Sequence, residues 1–173
     1  MIKKIIQNSI LFQGVEEEYI HQLLDDPKSI HAFQSGDFIV SQGEEGNGMY
    51  FIMEGEVEII VENKTPAEKK LIRLLQKGEF FGEICMFAKQ NRIASARAKT
   101  DVKAAYLDSN RFREQIKAEN TNAMRIGLNI TYTLIDHLRN MNKVLAELDK
   151  QLQSSSGSEI SRFKNKLMKE ILI

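Results

Sequence analysis

One cysteine, Cys85, stands among the 173 residues, and there is no tryptophan. A single thiol cannot build an internal disulfide framework and fits a reducing compartment, so the sequence reads as cytoplasmic. Neither sign of charge is in excess: 24 lysines and arginines face 24 aspartates and glutamates. No global field therefore draws the chain toward DNA or acidic lipid, which argues against a nucleic-acid binder. Long apolar runs are missing as well. No stretch is long enough to span a bilayer, and in "MIKKIIQNSILFQGVEEEY" the polar Gln7, Asn8 and Ser9 interrupt the apolar core that a signal peptide needs. Histidine is scarce. His21, His31 and His137 are scattered without close-spaced partners, which speaks against a metal-centred enzyme. Ser9, Ser35 and Ser95 have no base at suggestive spacing, so no nucleophile is indicated. What is present, 42% hydrophobic and 28% charged residues, suits one compact domain with an appendage.

The pattern changes along the chain. Val15, Tyr19, Ile20, Leu23 and Leu24 recur at helical spacing, and "DDP" ends a short N-terminal helix. From Ser29 to Lys64 short apolar runs alternate with Gly36, Gly43, Gly46, Gly48 and Gly55, which predicts strands and turns. In "GEVEIIV" the alternation puts Val57, Ile59 and Val61 on one face and Glu56, Glu58 and Ile60 on the other, with Glu54-Gly55 as a two-residue hairpin turn. "NKTPAEK", with Pro66, reads as a second hairpin loop before the strand "KLIRLL". "IASARAK" and "VKAAYLD" complete about eight short antiparallel strands, which make a mainly β, jelly-roll-like β-roll with flanking helices.

After Ser109 the residues are good helix formers apart from Gly127. Leu134, Leu138, Met141, Leu145, Leu148 and Leu152 step alternately by four and three, the spacing of a heptad seam. One face packed on the parent domain would explain them too. A helix extending this far past a small domain would otherwise leave leucines in water, so the reading favours a homodimer through the long helix. Residues 1–117 then form the β-roll domain, 118–153 the long helix, and 154–173 a serine linker, "SSSGS", followed by a short helix. That helix places Ile160, Phe163, Leu167, Ile171 and Leu172 on one face with lysines opposite. Docking back onto its own dimer is the favoured reading, and a partner protein or a membrane surface the alternatives.

The chemistry concentrates in "GEFFGEICMFAKQNRIASARA". Gly82 before "EICMF" looks like a tight turn opening a single helical turn, whose unpaired amides attract an anion. Arg92 offers a planar fork suited to phosphate oxygens. Glu83 repels a phosphate unless it accepts a hydroxyl proton, so the implied ligand carries an anion and a hydroxyl close together. A ribose cyclic phosphate meets both requirements. The plain alternative is an ordinary Glu83–Arg92 ion pair bracketing a turn. Cys85 within the turn reads as a buried thiol facing the ligand.

Together with "LFQGV" and "GDFIVSQGEEGNGMYFIMEGEVEI", this stretch resembles the cyclic-nucleotide-binding domain family, shared by protein kinase A regulatory subunits, cyclic-nucleotide-regulated channels and bacterial catabolite activator proteins. The resemblance runs from about Leu11 to Ile116 and into the long helix. The family's phosphate-binding cassette falls here on Phe81, Gly82, Glu83, Arg92, Ile93, Ala94 and Ser95, and "FGEIC" looks particularly like the channel members. The resemblance implies that Arg92 binds the exocyclic phosphate oxygens and Glu83 the ribose 2′-hydroxyl. It further implies that amides near Gly82, Ile84, Cys85 and Ala94 complete the cradle, with Val61 and Leu75 as apolar walls. Thr133, His137 and Leu138 would serve as a lid. Two positions depart from the pattern: Asn91 stands where many members have proline, and Ile93 replaces the usual Ala, Ser or Thr, removing any hydroxyl contact there.

The function expected is a ligand-binding regulatory module that senses cyclic AMP and signals through its long helix to an unidentified protein partner. It is not an enzyme and has no cofactor beyond that ligand, no metal, no nucleic-acid partner and no membrane partner. The alternative is a dimeric interaction module whose pocket is empty or holds another nucleotide. A transcription regulator is disfavoured because only a short tail follows the serine linker, leaving no room for a helix-turn-helix.

Overall fold

The computed structural model describes residue 6 and residues 8–24, 28–62 and 69–154. The chain divides into two compact units, Met1–Ile130 and Thr131–Ile173. The Pro66 loop and the amphipathic tail with Ile160, Phe163, Leu167, Ile171 and Leu172 lie outside the described residues.

In the first unit, after the helical residues Ile6 and Asn8, comes a single turn of 3-10 helix, Ile10–Phe12, which Ser9 caps through its hydroxyl. Helix α1 follows at Glu17–Leu24, two residues later than the periodicity suggested, with Glu17 and Glu18 in its first turn, where the helix dipole favours acids. Ten strand segments come next: β1 Ile30–Phe33, β2 Phe38–Val40, β3 Glu45–Gly46, β4 Gly48–Glu54, β5 Glu56–Glu62, β6 Lys69–Gln76, β7 Phe80–Phe81, β8 Gln90–Asn91, β9 Ser95–Ala98 and β10 Val102–Asp108. They form two four-stranded sheets, β1-β10-β4-β7 and β2-β9-β5-β6, and a small β3-β8 ladder, with every pairing antiparallel. This is the expected β-roll. It has more segments than eight because β3, β7 and β8 are two-residue ladders, too short to show any periodicity.

Three local readings change. Glu54-Gly55 is not a hairpin, because β4 and β5 belong to different sheets. Gly55, at φ 90°, turns a corner between the sheets, and a Cβ there would overlap the Asp101 carbonyl. The corner is tied down by Lys99 N donating to Glu56 O at 2.9 Å and Glu56 N to Thr100 Oγ1 at 3.0 Å. In β5 the face shared by the acids is not open throughout. Ile60, grouped by pattern with Glu56 and Glu58, is 4% exposed, and beside it the pairing with β6 shifts between Ile59 and Ile60. The helical segment after Ser109 is interrupted as well. Helix α3 runs Ser109–Lys117 and α4 Thr121–Ser154, with Glu119 in the left-handed region at φ 58° and Asn120 Oδ1 accepting from Ala123 N at 2.9 Å.

Ile39, Val40, Ile52, Val57, Leu75, Phe81, Ala96, Ala98, Val102 and Ala104 pack as one core between the sheets. Each large apolar side chain buried this way contributes about 1.5 to 3 kcal/mol. The start of α4 is held to the roll from outside: buried Asn129 donates to the carbonyls of Leu11 at 3.0 Å and Gln13 at 2.9 Å. Gly127 lets Phe112 and Ile116 of α3 come close.

Within the second unit, Leu138, Met141 and Leu148 of the long helix are each about half exposed, at 55%, 52% and 48%. The helix therefore presents the apolar repeat rather than covering it. No helix among the described residues is long and apolar enough to cross a membrane.

Candidate functional site

Strand β7 delivers the chain to Gly82, and the helix α2 that follows is a single turn, Ile84–Phe87. Gly82 has φ 82°, and a Cβ there would overlap Nη1 of Arg92. Glycine is needed on two counts, the left-handed backbone and the close approach of the guanidinium. Ten residues on, Arg92 is fixed by its backbone: its N donates to Glu44 O at 2.8 Å, and its O accepts from Gly43 N at 2.9 Å. The sequence pattern thus brings Gly82 and Arg92 into contact through two short turns and one ladder.

Arg92 is 7% exposed. Its Nη1 donates to the Gly48 carbonyl at 2.7 Å, and its Nε is buried without any partner. Among the described residues no carboxylate lies within ion-pair distance of it. Glu83 is half-buried and forms no cap bond with its own helix. The ordinary Glu83–Arg92 ion pair is therefore not what the turn holds. A buried cation with an orphaned donor is costly unless an anion completes it.

The amides of Glu83, Ile84 and Ala94 have no acceptor among the described residues. The Cys85 amide differs from expectation, since it donates to Gly82 O at 3.1 Å. The Cys85 thiol is 3% exposed, with Sγ 3.8 Å from the Gln90 carbonyl. Ile93 is 64% exposed, Ala94 half-buried, and buried Ser95 accepts from Gln42 N at 2.9 Å through its hydroxyl. Val61 is half-buried on β5, whereas Leu75 is 2% exposed and part of the core. Thr133 and His137 are half-buried and Leu138 exposed on the long helix, within the second unit.

The sequence did not single out two neighbours of Arg92, Tyr50 of β4 and Tyr106 of β10, whose rings lie 4.9 Å apart between centroids, with Tyr50 stacked on Phe81 at 5.4 Å. Burial pushes both phenols up from their usual range, and the nearby Arg92 charge offsets only part of that. Both remain neutral hydroxyls at physiological pH. The signal that could have found Tyr50 is its position two residues after Gly48, in a strand whose alternation points it inward.

The site is thus an antiparallel β-roll carrying a glycine turn, a one-turn helix and a buried arginine with no carboxylate partner among the described residues. The family profile "Cyclic nucleotide-binding domain" matches residues 30–119, more than half of the chain, and the chain belongs to that family. Potassium/sodium hyperpolarization-activated cyclic nucleotide-gated channel 2 of Mus musculus is 28% identical over 170 residues, which are 98% of this chain and 18% of the channel. Channel 1 of Homo sapiens is likewise 28% identical, with the same coverage. The chain thus spans about a fifth of the length of these relatives. Among solved structures, the catabolite activator protein of Thermus thermophilus superposes with a TM-score of 0.69 at 24% identity, covering 82% of this chain and 63% of that one. A cAMP-bound protein titled PfPKA-R superposes with a TM-score of 0.56 at 24% identity, covering 65% and 39%. Both likenesses bear on the fold.

Proposed function

We propose that this chain is a cyclic-nucleotide-sensing regulatory module that binds cyclic AMP in the cassette and signals through its long helix to a partner. The observation that carries the reading is Arg92, a buried guanidinium with an unsatisfied Nε, held against Gly82 and without a carboxylate partner among the described residues. An exocyclic phosphate would supply its missing counter-charge, and the amides beside Gly82 and at Ala94 would share the remaining oxygens. Glu83, half-buried at the same turn and making no cap bond with its own helix, would accept the ribose hydroxyl. Glu83→Gln is expected to weaken binding by less than loss of Arg92, since an amide still accepts a hydroxyl; a calorimetric comparison of the two variants checks the order.

Binding would act by population shift, favouring the state in which the long helix covers the cassette, with Thr133, His137 and Leu138 as the lid. The half-exposed leucine repeat supports a homodimer through that helix. A reducing, cytoplasmic setting accords with the single, buried thiol.

Base selectivity follows from Ile93. Its side chain is 64% exposed beside the arginine and has no hydroxyl to bond a guanine amino group lying over the phosphate. An unpaired buried donor costs roughly 1 to 3 kcal/mol. Cyclic AMP should therefore bind about tenfold or more tightly than cyclic GMP. Thermal-shift titrations with cyclic AMP, cyclic GMP and a cyclic dinucleotide test this. Ile93→Thr should narrow the gap chiefly by tightening cyclic GMP, and equal affinities in the unmodified protein would assign the choice of base to another part of the pocket.

A further inference from the structure

Arg113 has no part in the contacts described above, yet it reaches the cassette from α3. It is half-buried. Its Nη1 donates to the Met86 carbonyl at 3.4 Å, and its Nη2 donates to Ser109 Oγ at 2.9 Å and Asn110 Oδ1 at 3.0 Å. Met86 belongs to the one-turn helix Ile84–Phe87, whose last carbonyls have few donors within the helix and gather its partial negative charge. Among the described residues no carboxylate pairs with Arg113. The guanidinium is thus committed to a backbone carbonyl and two neutral oxygens, and its planar fork spans two elements at once.

One further contact joins these two elements, and another ties α3 to the start of β4. Phe87 of the cassette helix and Phe112 of α3 pack edge to face at 6.4 Å. Ser109, 2% exposed, donates its amide to Asn47 O at 2.8 Å, next to Gly48, whose carbonyl holds Arg92. Arg92 and Arg113 therefore meet at one junction, where β4 begins and β10 passes into α3.

We infer that Arg113 is a positioning residue: it clasps the carbonyl end of the cassette helix to α3 and so sets how readily the cassette opens. Its consequence for the ligand rests on the cyclic-nucleotide reading above. Removing the fork takes away the hydrogen bond from Arg113 to the cassette helix and leaves the Phe87–Phe112 packing in place.

Cys85 makes this measurable, because it is the single cysteine, lies on the clasped helix and is 3% exposed. Its reaction with N-ethylmaleimide, a neutral probe, proceeds through local opening. Without nucleotide, Arg113→Gln is expected to label about tenfold faster than the unmodified protein, with a melting temperature within a few degrees of it. Arg113→Lys, which keeps the charge and loses the fork, should fall between the two. Lys117→Gln, a loss of the same charge from the same helix, should label at the original rate. Identical labelling rates in the original protein and both Arg113 variants overturn the clasp. If Arg113→Gln melts too low to be labelled as a folded protein, Arg113→Lys carries the test on the same criterion. A second arm adds cyclic AMP, which should slow labelling, with its half-effect concentration raised about fivefold or more in Arg113→Gln. Faster labelling of the variant with no protection of either protein by cyclic AMP keeps the clasp and removes the nucleotide reading. Equal free rates with equal protection do the reverse.

Discussion

Arg92→Ala is expected to abolish cyclic AMP binding at micromolar concentrations while leaving the β-roll folded. Removing one member of a buried, hydrogen-bonded charge pair costs roughly 2 to 5 kcal/mol, or about 30-fold to several thousand-fold in affinity. The fold should not suffer comparably. Among the described residues the guanidinium makes one hydrogen bond, to Gly48 O, and leaves Nε unsatisfied, so its loss removes a desolvation cost along with a contact. Circular dichroism melts should place the variant close to the unmodified protein. Unchanged affinity would show that the anion binds elsewhere, and a collapsed melting transition would show that Arg92 serves structure first.

The second large effect concerns assembly. The protein is expected to sediment as a homodimer at micromolar concentration, and Leu138→Glu with Leu145→Glu should split it into folded monomers. Leu138 is 55% exposed on the helix, with Met141 and Leu148 alongside it at similar exposure. Two carboxylates one heptad apart on a seam must be desolvated against their own symmetry mates, which a two-helix interface does not tolerate. Neither leucine belongs to the core of the first unit, so its melting transition should persist. A monomer in the unmodified protein would contradict this.

The cassette was legible in the sequence because its logic is local. Gly82, the helical turn after it and Arg92 lie within eleven residues, and the left-handed turn, the one-turn helix and the arginine each carry their own signal. What completes the site comes from far along the chain. Gly48, which receives the guanidinium, is 44 positions from Arg92, and Tyr50 and Tyr106 sit on two strands that only the sheet register brings together. No spacing rule reports such meetings. The same limit explains the corner at Gly55. A glycine between two alternating strands signals a reversal, but whether the strands pair or pass into different sheets depends on the 99–102 turn packed against it. The break at Glu119 runs against propensity: glutamate is a good helix former, and the turn is set by Asn120 capping the next helix.

The measurement that bears most directly on the whole account is a calorimetric titration of the full chain with cyclic AMP, run beside Arg92→Ala. The account predicts saturable binding of one nucleotide per chain in the unmodified protein, and no binding heat in the variant over the same range. A folded, unmodified protein that takes up no cyclic AMP, or that takes it up equally well without Arg92, would contradict it.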